Sequence, residues 1–177
     1  MVKLQFRLTA KEYYQYNYYT AWAAPTKKRY RIIYFLRVIL LYAAVAFLYI
    51  ISSRSHILWL DISVFLFTGT VYLVLIPFFI QWSVRRRVRS ILSKKENHHV
   101  LDEAEVILSD SGITDRDTIS ESRYNWDAII EFADTPTAWY LYTNSYHAIV
   151  IPKRVVADAD EIKEAERLFA THLPLDV

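Results

Sequence analysis

Two long apolar stretches, separated by a few polar residues, dominate the hydrophobic pattern of this chain. The first covers residues 32–51 and carries one charge, Arg37, while the second covers residues 62–84 and carries none. At about 1.5 Å per residue, a helix of the second length spans roughly 34 Å, more than a hydrocarbon layer of about 30 Å. The pattern therefore predicts an α-helical hairpin that crosses a membrane twice, rather than two buried helices of a soluble core.

Basic residues flank both stretches on the side away from the connecting loop, which itself holds only Arg54. They are Lys27, Lys28, Arg29 and Arg31 before the first stretch, and Arg85, Arg86, Arg87 and Arg89 after the second. Because basic residues are retained on the cytoplasmic side, we expect a multi-pass protein of the cytoplasmic membrane with both termini inside. These eight cations are the candidate contacts for anionic lipid headgroups.

The formal net charge of +2 conceals a strong division along the chain. Residues 1–95 contain 15 basic and 2 acidic side chains, whereas residues 96–177 contain 6 basic and 17 acidic ones. An acidic domain cannot replace the counterions of a polyphosphate, so nucleic acid is not an expected partner. The chain has no cysteine, which excludes disulfides and thiolate metal sites.

The amino-terminal segment alternates apolar and polar residues and then becomes strongly aromatic. Residues 3–8 are predicted as a strand, and Thr9 with Glu12 has the spacing of a capping box that begins a helix reaching about Trp22. Tyr14, Tyr18 and Trp22 share one helical face. Two interpretations stay open: this face lies in the headgroup zone of the membrane, or it packs on the cytoplasmic domain or the membrane helices.

The carboxyl-terminal part reads as several antiparallel strands followed by one helix. Strands are predicted at residues 104–108, 113–120, 126–132, 139–143 and 147–151, with the second at a sheet edge. Gly112 is suited to the turn between the first two, and Asp158 begins an amphipathic helix. We therefore predict an α+β cytoplasmic domain, a pleckstrin-like antiparallel half-barrel with a C-terminal helix, which the amino-terminal strand is a candidate to join.

These elements predict four regions along the chain. Residues 1–30 contain the strand and aromatic helix, residues 31–84 the transmembrane hairpin, residues 85–99 a basic linker, and residues 100–177 the cytoplasmic domain. A stripe on one face of the last helix is predicted from Ile162, Ala165, Phe169 and His172, together with Leu168.

Two short motifs resemble the YcxB-like family of small bacterial membrane proteins. They are Ser-Glu-Ser-Arg-Tyr-Asn-Trp at residues 120–126 and Ile-Val-Ile-Pro-Lys-Arg at residues 149–154. The resemblance implies a strand and helix before two membrane helices, a small domain after them, the inner membrane of a bacterium, and no established enzymatic activity. It singles out Arg123, Trp126, Lys153 and Arg154 as candidate partner-binding or family-motif residues.

For these four residues, structural and functional roles compete. Arg123 is positioned to stack on Trp126 as a cation–π pair. Lys153 and Arg154 are expected either to pair with Asp158, Asp160 or other nearby acids, or to contact lipid phosphate or an acidic partner.

We find no catalytic or metal-binding set in the sequence. His98 and His99 are adjacent and cannot both point at one ion, and two glycines are too few for a phosphate-cradling loop. We expect no enzyme, metal or cofactor, but a membrane protein that presents its domain to a protein partner, a lipid headgroup or a second copy of itself. The alternatives are an immunity or envelope-stress protein that blocks a membrane-targeting toxin, and an oligomeric transport or channel component that uses Asp61.

Overall fold

The structure, a computed structural model, describes residues 1–52, 58–156 and 158–173. The chain forms two compact units, one of Met1–Tyr16 with Val88–Val177 and the other of Asn17–Arg87. The connecting loop predicted around Arg54 lies outside the described residues. The predicted boundaries at residues 30, 84 and 99 stay a prediction.

The second unit contains helix α2, at Lys28–Ser52, and most of helix α3, at Leu58–Leu92, whose last residues from Val88 onward belong to the first unit. Within the described residues these are the helices long and apolar enough to cross a membrane. Their apolar side chains point mostly outward; Leu41 and Phe67, for example, are about 70% exposed. Helix α3 continues through the arginines that follow its apolar part. Exposure of this kind suits a hydrocarbon solvent and is unlike the buried helix of a soluble core.

Helices α2 and α3 meet at a tyrosine and a glycine. The Tyr42 hydroxyl donates a hydrogen bond to the Phe65 carbonyl oxygen at 3.1 Å and is also bonded to the Thr68 hydroxyl. A Cβ atom on Gly69 would lie 2.9 Å from Tyr42 Cε1, so the tyrosine ring fits against this residue because it has no side chain. Small residues that permit close approach and hydrogen bonds between helices are the usual means of helix association in lipid.

The first unit begins with a four-stranded antiparallel sheet in which β1, at Val2–Arg7, pairs with β2, at Glu103–Ser109. In register, Leu4 lies opposite Val106. The alternating residues Val2, Leu4 and Phe6 are buried, which is the period of two expected for a strand with one face on a core. The amino-terminal strand thus joins the sheet of the carboxyl-terminal part.

The polar segment after Gly112 differs from the predicted edge strand of residues 113–120. Strand β3 ends at Arg116 and lies inside the sheet, between β2 and a further strand, β4, at Glu121–Tyr124. Its polar outer face reflects cross-strand ion pairs, because Arg116 contacts both Glu105 and Glu121. Gly112 adopts a φ of +145°, and a Cβ atom there would lie 2.4 Å from the Tyr124 carbonyl oxygen, so the predicted need for glycine at this turn is met.

A second, three-stranded antiparallel sheet contains β5 at Glu131–Asp134, β6 at Ala138–Tyr142 and β7 at Ala148–Pro152. Every residue of β6 and β7 is buried, so both faces of this sheet are covered. The predicted strand at residues 126–132 is wrong in its first half, where Trp126–Ala128 form a 3-10 turn. The reason is that Trp126 enters the core from a turn rather than from a pleated strand.

The last helix, α4, runs over Ala159–His172 and begins at Asp158, whose carboxylate accepts a hydrogen bond from the Asp160 backbone N–H. Its stripe of Ala165, Leu168 and Phe169 is buried, as predicted. The Phe169 ring lies 5.0 Å from Phe132 and 5.3 Å from Trp139, measured between ring centres. The helix therefore packs against the core residues of the three-stranded sheet.

Trp126 links the four-stranded sheet to helix α4 within the shared core, and its truncation tests that role. It is 6% exposed, donates from Nε1 to the Ser109 carbonyl oxygen at 2.9 Å, and stacks on His172. Trp126→Ala is expected to destabilise the first unit by about 3–5 kcal/mol, because it leaves a cavity and an unpaired carbonyl. Hydrogen exchange of the β2 and β6 amides in the detergent-solubilised full chain measures this loss. Tyr146→Ala, at a residue that is 84% exposed, is the control, and equal protection in both variants would contradict a core role.

Candidate functional site

Six of the eight candidate headgroup contacts lie in two exposed segments of the long helices. Lys28 and Arg29 occupy the first turn of α2, and Arg85, Arg86, Arg87 and Arg89 follow one another along α3. All six are exposed, and the guanidinium carbon of Arg86 lies 5.4 Å from the centre of the Trp82 ring. A tryptophan with an arginine one turn further on is typical of the boundary between hydrocarbon and water.

Arg31 has a structural role instead. Its Nη1 atom donates to the carbonyl oxygens of Trp22 and Ala24, the latter at 3.0 Å, and so satisfies the end of a π-helical turn at Tyr19–Ala23. The Trp22 ring packs edge-on against Tyr34 with 5.6 Å between ring centres. In this unit, therefore, Trp22 packs on the start of α2.

The two compact units differ in charge, although less sharply than the two halves of the sequence. The unit of Asn17–Arg87 contains 9 basic residues and 1 acidic residue, a net charge of +8. The unit of Met1–Tyr16 with Val88–Val177 contains 12 basic and 18 acidic residues, a net charge of −6. Addition of the amino-terminal strand and the end of α3 therefore makes the folded domain less acidic than its carboxyl-terminal sequence.

Arg123 belongs to a line of alternating charges across the outer face of the four-stranded sheet. From β1 to β4 the line contains Lys3, Glu105, Arg116, Glu121 and Arg123. Hydrogen bonds from Arg116 and then Arg123 lower the pKa of the Glu121 carboxyl. The expected stacking of Arg123 on Trp126 is thus wrong, because Glu121 is its partner at 2.8 Å while Trp126 turns into the core against His172.

Lys153 is paired within the domain. Its Nζ atom lies 2.5 Å from the Asp134 carboxylate and 5.4 Å from the centre of the Trp139 ring. The prediction of a nearby acid is confirmed, but Asp158 and Asp160 are not the partners. The 3-10 turn at Lys153–Val155 directs Lys153 to β5 and away from the start of α4.

Arg154 connects the amino-terminal segment to the end of β7. Its Nε atom donates to Glu12 Oε1 at 2.6 Å, and its Nη2 atom donates to the Arg7 carbonyl oxygen at 2.8 Å. Glu12 also closes the predicted capping box, since it accepts from the Thr9 backbone N–H at 2.8 Å. The hydrogen bond from Arg154 is the main cause that lowers the pKa of Glu12 to about 2.

Tyr16 is a structural residue that the sequence analysis did not identify. It lies in helix α1, at Ala10–Tyr18, and its hydroxyl donates to the Tyr146 carbonyl oxygen at 2.7 Å and accepts from the Ala148 N–H at 3.1 Å. Its ring packs edge-on against Tyr140 with 5.6 Å between centres. The predicted face of Tyr14, Tyr18 and Trp22 omits it, because helical spacing does not say which side of an all-aromatic helix meets a sheet.

Histidines and acids do not assemble into a recognisable metal centre. Across residues 1–52, 58–156 and 158–173, no group of three or more histidine, aspartate or glutamate side chains is placed to hold an ion. Burial raises the pKa of the Asp115 carboxyl, and the charge of His147 opposes that rise. One perturbed acid of this kind is common in folded domains and names no reaction.

The Glu12–Arg154 pair predicts a specific dependence of stability on pH. A carboxyl whose pKa is lowered on folding stabilises the fold above its ordinary pKa of 4.5, and the contribution disappears as the pH falls towards about 2. Arg154→Gln should therefore cost about 1–2 kcal/mol at pH 7, and the difference from the native chain should shrink between pH 4.5 and 2. Chemical denaturation at several pH values measures it.

The control for this variant is Lys163→Gln, which removes an exposed charge 3.5 Å from Asp160. It should change stability by at most a few tenths of a kcal/mol at any pH. An Arg154→Gln deficit that stays constant down to pH 2 would contradict the assignment of this pair.

With the fold and these contacts established, comparison with known proteins adds one match. A family model described as YcxB-like protein matches residues 108–169, from β2 to α4. No curated protein and no solved structure matches the chain. The matched region contains Arg123, Trp126, Lys153 and Arg154, the residues on which the sequence resemblance was based. Residues 108–169 are thus a YcxB-like domain, and the family suggested by the two motifs is confirmed for this part of the chain.

Proposed function

We propose that this protein is a non-enzymatic recognition protein of the bacterial inner membrane. Helices α2 and α3 span the membrane, both termini are cytoplasmic, and a pleckstrin-like domain formed by the sequence before and after the two helices binds a basic protein partner. The observation that carries the proposal is the pairing of β1 with β2. In the sequence, β1 precedes the two apolar helices and β2 follows them.

The strand pairing constrains the topology of any inserted form. Residues 2–7 precede the helices and residues 103–109 follow them, yet the two segments are hydrogen-bonded partners in one sheet. Partners in a sheet must be on the same side of a membrane, so the chain between them crosses it an even number of times. Two crossings by α2 and α3 satisfy this condition, and the arginines at the end of α3 favour the cytoplasmic side.

The separation of charge supports a domain that acts off the lipid surface. A unit with a net charge of +8 is attracted by anionic headgroups, at about 1 kcal/mol for each basic residue near the surface. The other unit, with a net charge of −6, is repelled by them and attracts basic surfaces. Arg123, Lys153 and Arg154 each have an acidic partner, which leaves them poorly suited to bind lipid phosphate.

The shape of the domain supports the pleckstrin-like assignment. It consists of a four-stranded and a three-stranded antiparallel sheet with one C-terminal helix against their shared core. In this chain the connection between the first two strands is replaced by the helical hairpin. By analogy with folds of this kind, we infer that the domain acts by binding rather than by catalysis.

Cysteine accessibility tests the proposed topology, because the native chain contains no cysteine. Single substitutions Ser111→Cys in the β2–β3 turn and Ser53→Cys in the predicted loop should respond oppositely to a membrane-impermeant maleimide in intact cells. We expect Ser53→Cys to be labelled from outside and Ser111→Cys only after the inner membrane is permeabilised. Labelling of Ser111→Cys in intact cells would refute a cytoplasmic domain.

A further inference from the structure

The two sheets of the unit of Met1–Tyr16 with Val88–Val177 have four edges, of which two are covered by side chains and two are not. The outermost strands are β1 and β4 in one sheet and β5 and β7 in the other. An exposed strand edge offers unpaired N–H and C=O groups to any extended segment that reaches it. The edges that remain uncovered therefore indicate where a strand of a partner could pair with the sheet.

The edges of β1 and β7 are covered by side chains. Arg154 donates to the Arg7 carbonyl oxygen on β1, and the Tyr16 hydroxyl accepts from the Ala148 N–H on β7. Both contacts involve the amino-terminal segment, since Arg154 also binds Glu12 and Tyr16 belongs to α1. A further strand on either edge would have to displace them.

The edges of β4 and β5 lack such cover. Among the described residues, no backbone group of Glu131–Asp134 forms a hydrogen bond outside the three-stranded sheet. Within the part of the chain that the structure describes, no side chain hydrogen-bonds to these backbone groups, and the nearest such bonds join Thr135 and Ala138 in the hairpin. Next to this edge, Ile130 is 60% exposed, one of few large apolar side chains in this unit that solvent reaches so freely.

Charge distinguishes β5 from β4. On β4, Glu121 is bound by Arg116 and Arg123, so its charge is already neutralised. Beside β5, Asp134 is bound by Lys153, but within the described part of the chain Glu131 and Asp127 make no ion pair. The β5 edge thus combines free backbone groups, two unpaired carboxylates and an exposed apolar side chain.

We propose that the β5 edge binds an extended basic segment of a protein partner, which adds to the three-stranded sheet as a fourth strand. Backbone hydrogen bonds to β5 supply affinity, Glu131 and Asp127 select basic side chains, and Ile130 packs against an apolar residue of the segment. The inference rests on the proposed function, because it locates the site for the basic partner named there.

A synthetic peptide tests the site on the full chain in nanodiscs of zwitterionic lipid. The probe is a capped, fluorescent hexapeptide of alternating lysine and valine, with a photoreactive group at one end. A second peptide has the same side chains but is N-methylated at alternate residues, and a third replaces lysine with glutamate. We expect the first peptide to bind and to cross-link to Ile130 or its neighbours. The N-methylated peptide loses backbone hydrogen bonds and the glutamate peptide loses charge attraction, so each should bind at least about tenfold more weakly.

A matched pair of charge reversals tests whether the peptide binds beside Glu131. Glu131→Lys should weaken the first peptide about tenfold, while Glu166→Lys, the same change on an exposed position of α4, should leave its affinity within about twofold. Equal binding of the N-methylated peptide, or cross-links on β4 or α4, would overturn strand addition at β5 but leave a basic partner in place. Failure of every basic peptide to bind at low salt would overturn the proposed recognition function as well.

Self-association is the remaining outcome. If the β5 edge pairs with a second copy of the chain, the protein in detergent, without nanodiscs, should dimerise as its concentration rises. Glu131→Lys should then change the dimerisation constant, and the peptide should leave that constant unchanged. That result would also contradict the proposal of a basic partner segment.

Discussion

The antiparallel pairing of β1 with β2 is the constraint on which the rest of this molecule depends. It joins residues about one hundred positions apart, such as Leu4 and Val106, across a connection that contains both apolar helices. The free energy of closing so long a loop grows only slowly with its length, so buried Val2, Leu4 and Phe6 can offset it. As a consequence, the unit of Met1–Tyr16 with Val88–Val177 is complete only when its first strand pairs with the part of the chain that follows the helices.

The amino-terminal segment extends that constraint beyond the strand pair. Glu12 binds Arg154, while Tyr16 packs on Tyr140 and accepts a hydrogen bond at the edge of β7. The part of α1 that holds these two residues therefore belongs to the folded domain. The same contacts cover two of the four sheet edges and leave β4 and β5 open. Paired charges on Arg123, Lys153 and Arg154 then leave the exposed arginines of α3 as the cations best placed for anionic lipid.

Features that local chemistry determines were predictable from sequence. The apolar helices, the capping box of Thr9 and Glu12, the glycine at residue 112 and the cap at Asp158 depend on neighbouring residues alone. Strand β4 was missed because its polar residues resemble those of a loop, whereas Glu121 is paired with Arg116 in β3 and with Arg123 within β4. The partners of Lys153 and Arg154, at Asp134 and Glu12, were missed because they are distant in sequence, and no pattern within one chain reveals them.

The most direct test of the central pairing is a cross-link between positions that lie opposite each other on β1 and β2. Gln5 and Glu105 are register partners with side chains in contact at 2.7 Å, and the chain has no other cysteine to interfere. In native membranes, Gln5→Cys with Glu105→Cys should form a cross-link within one chain with a short thiol-specific reagent. Its absence, or a stronger cross-link from Gln5→Cys with Asp110→Cys in the turn that follows β2, would contradict the account.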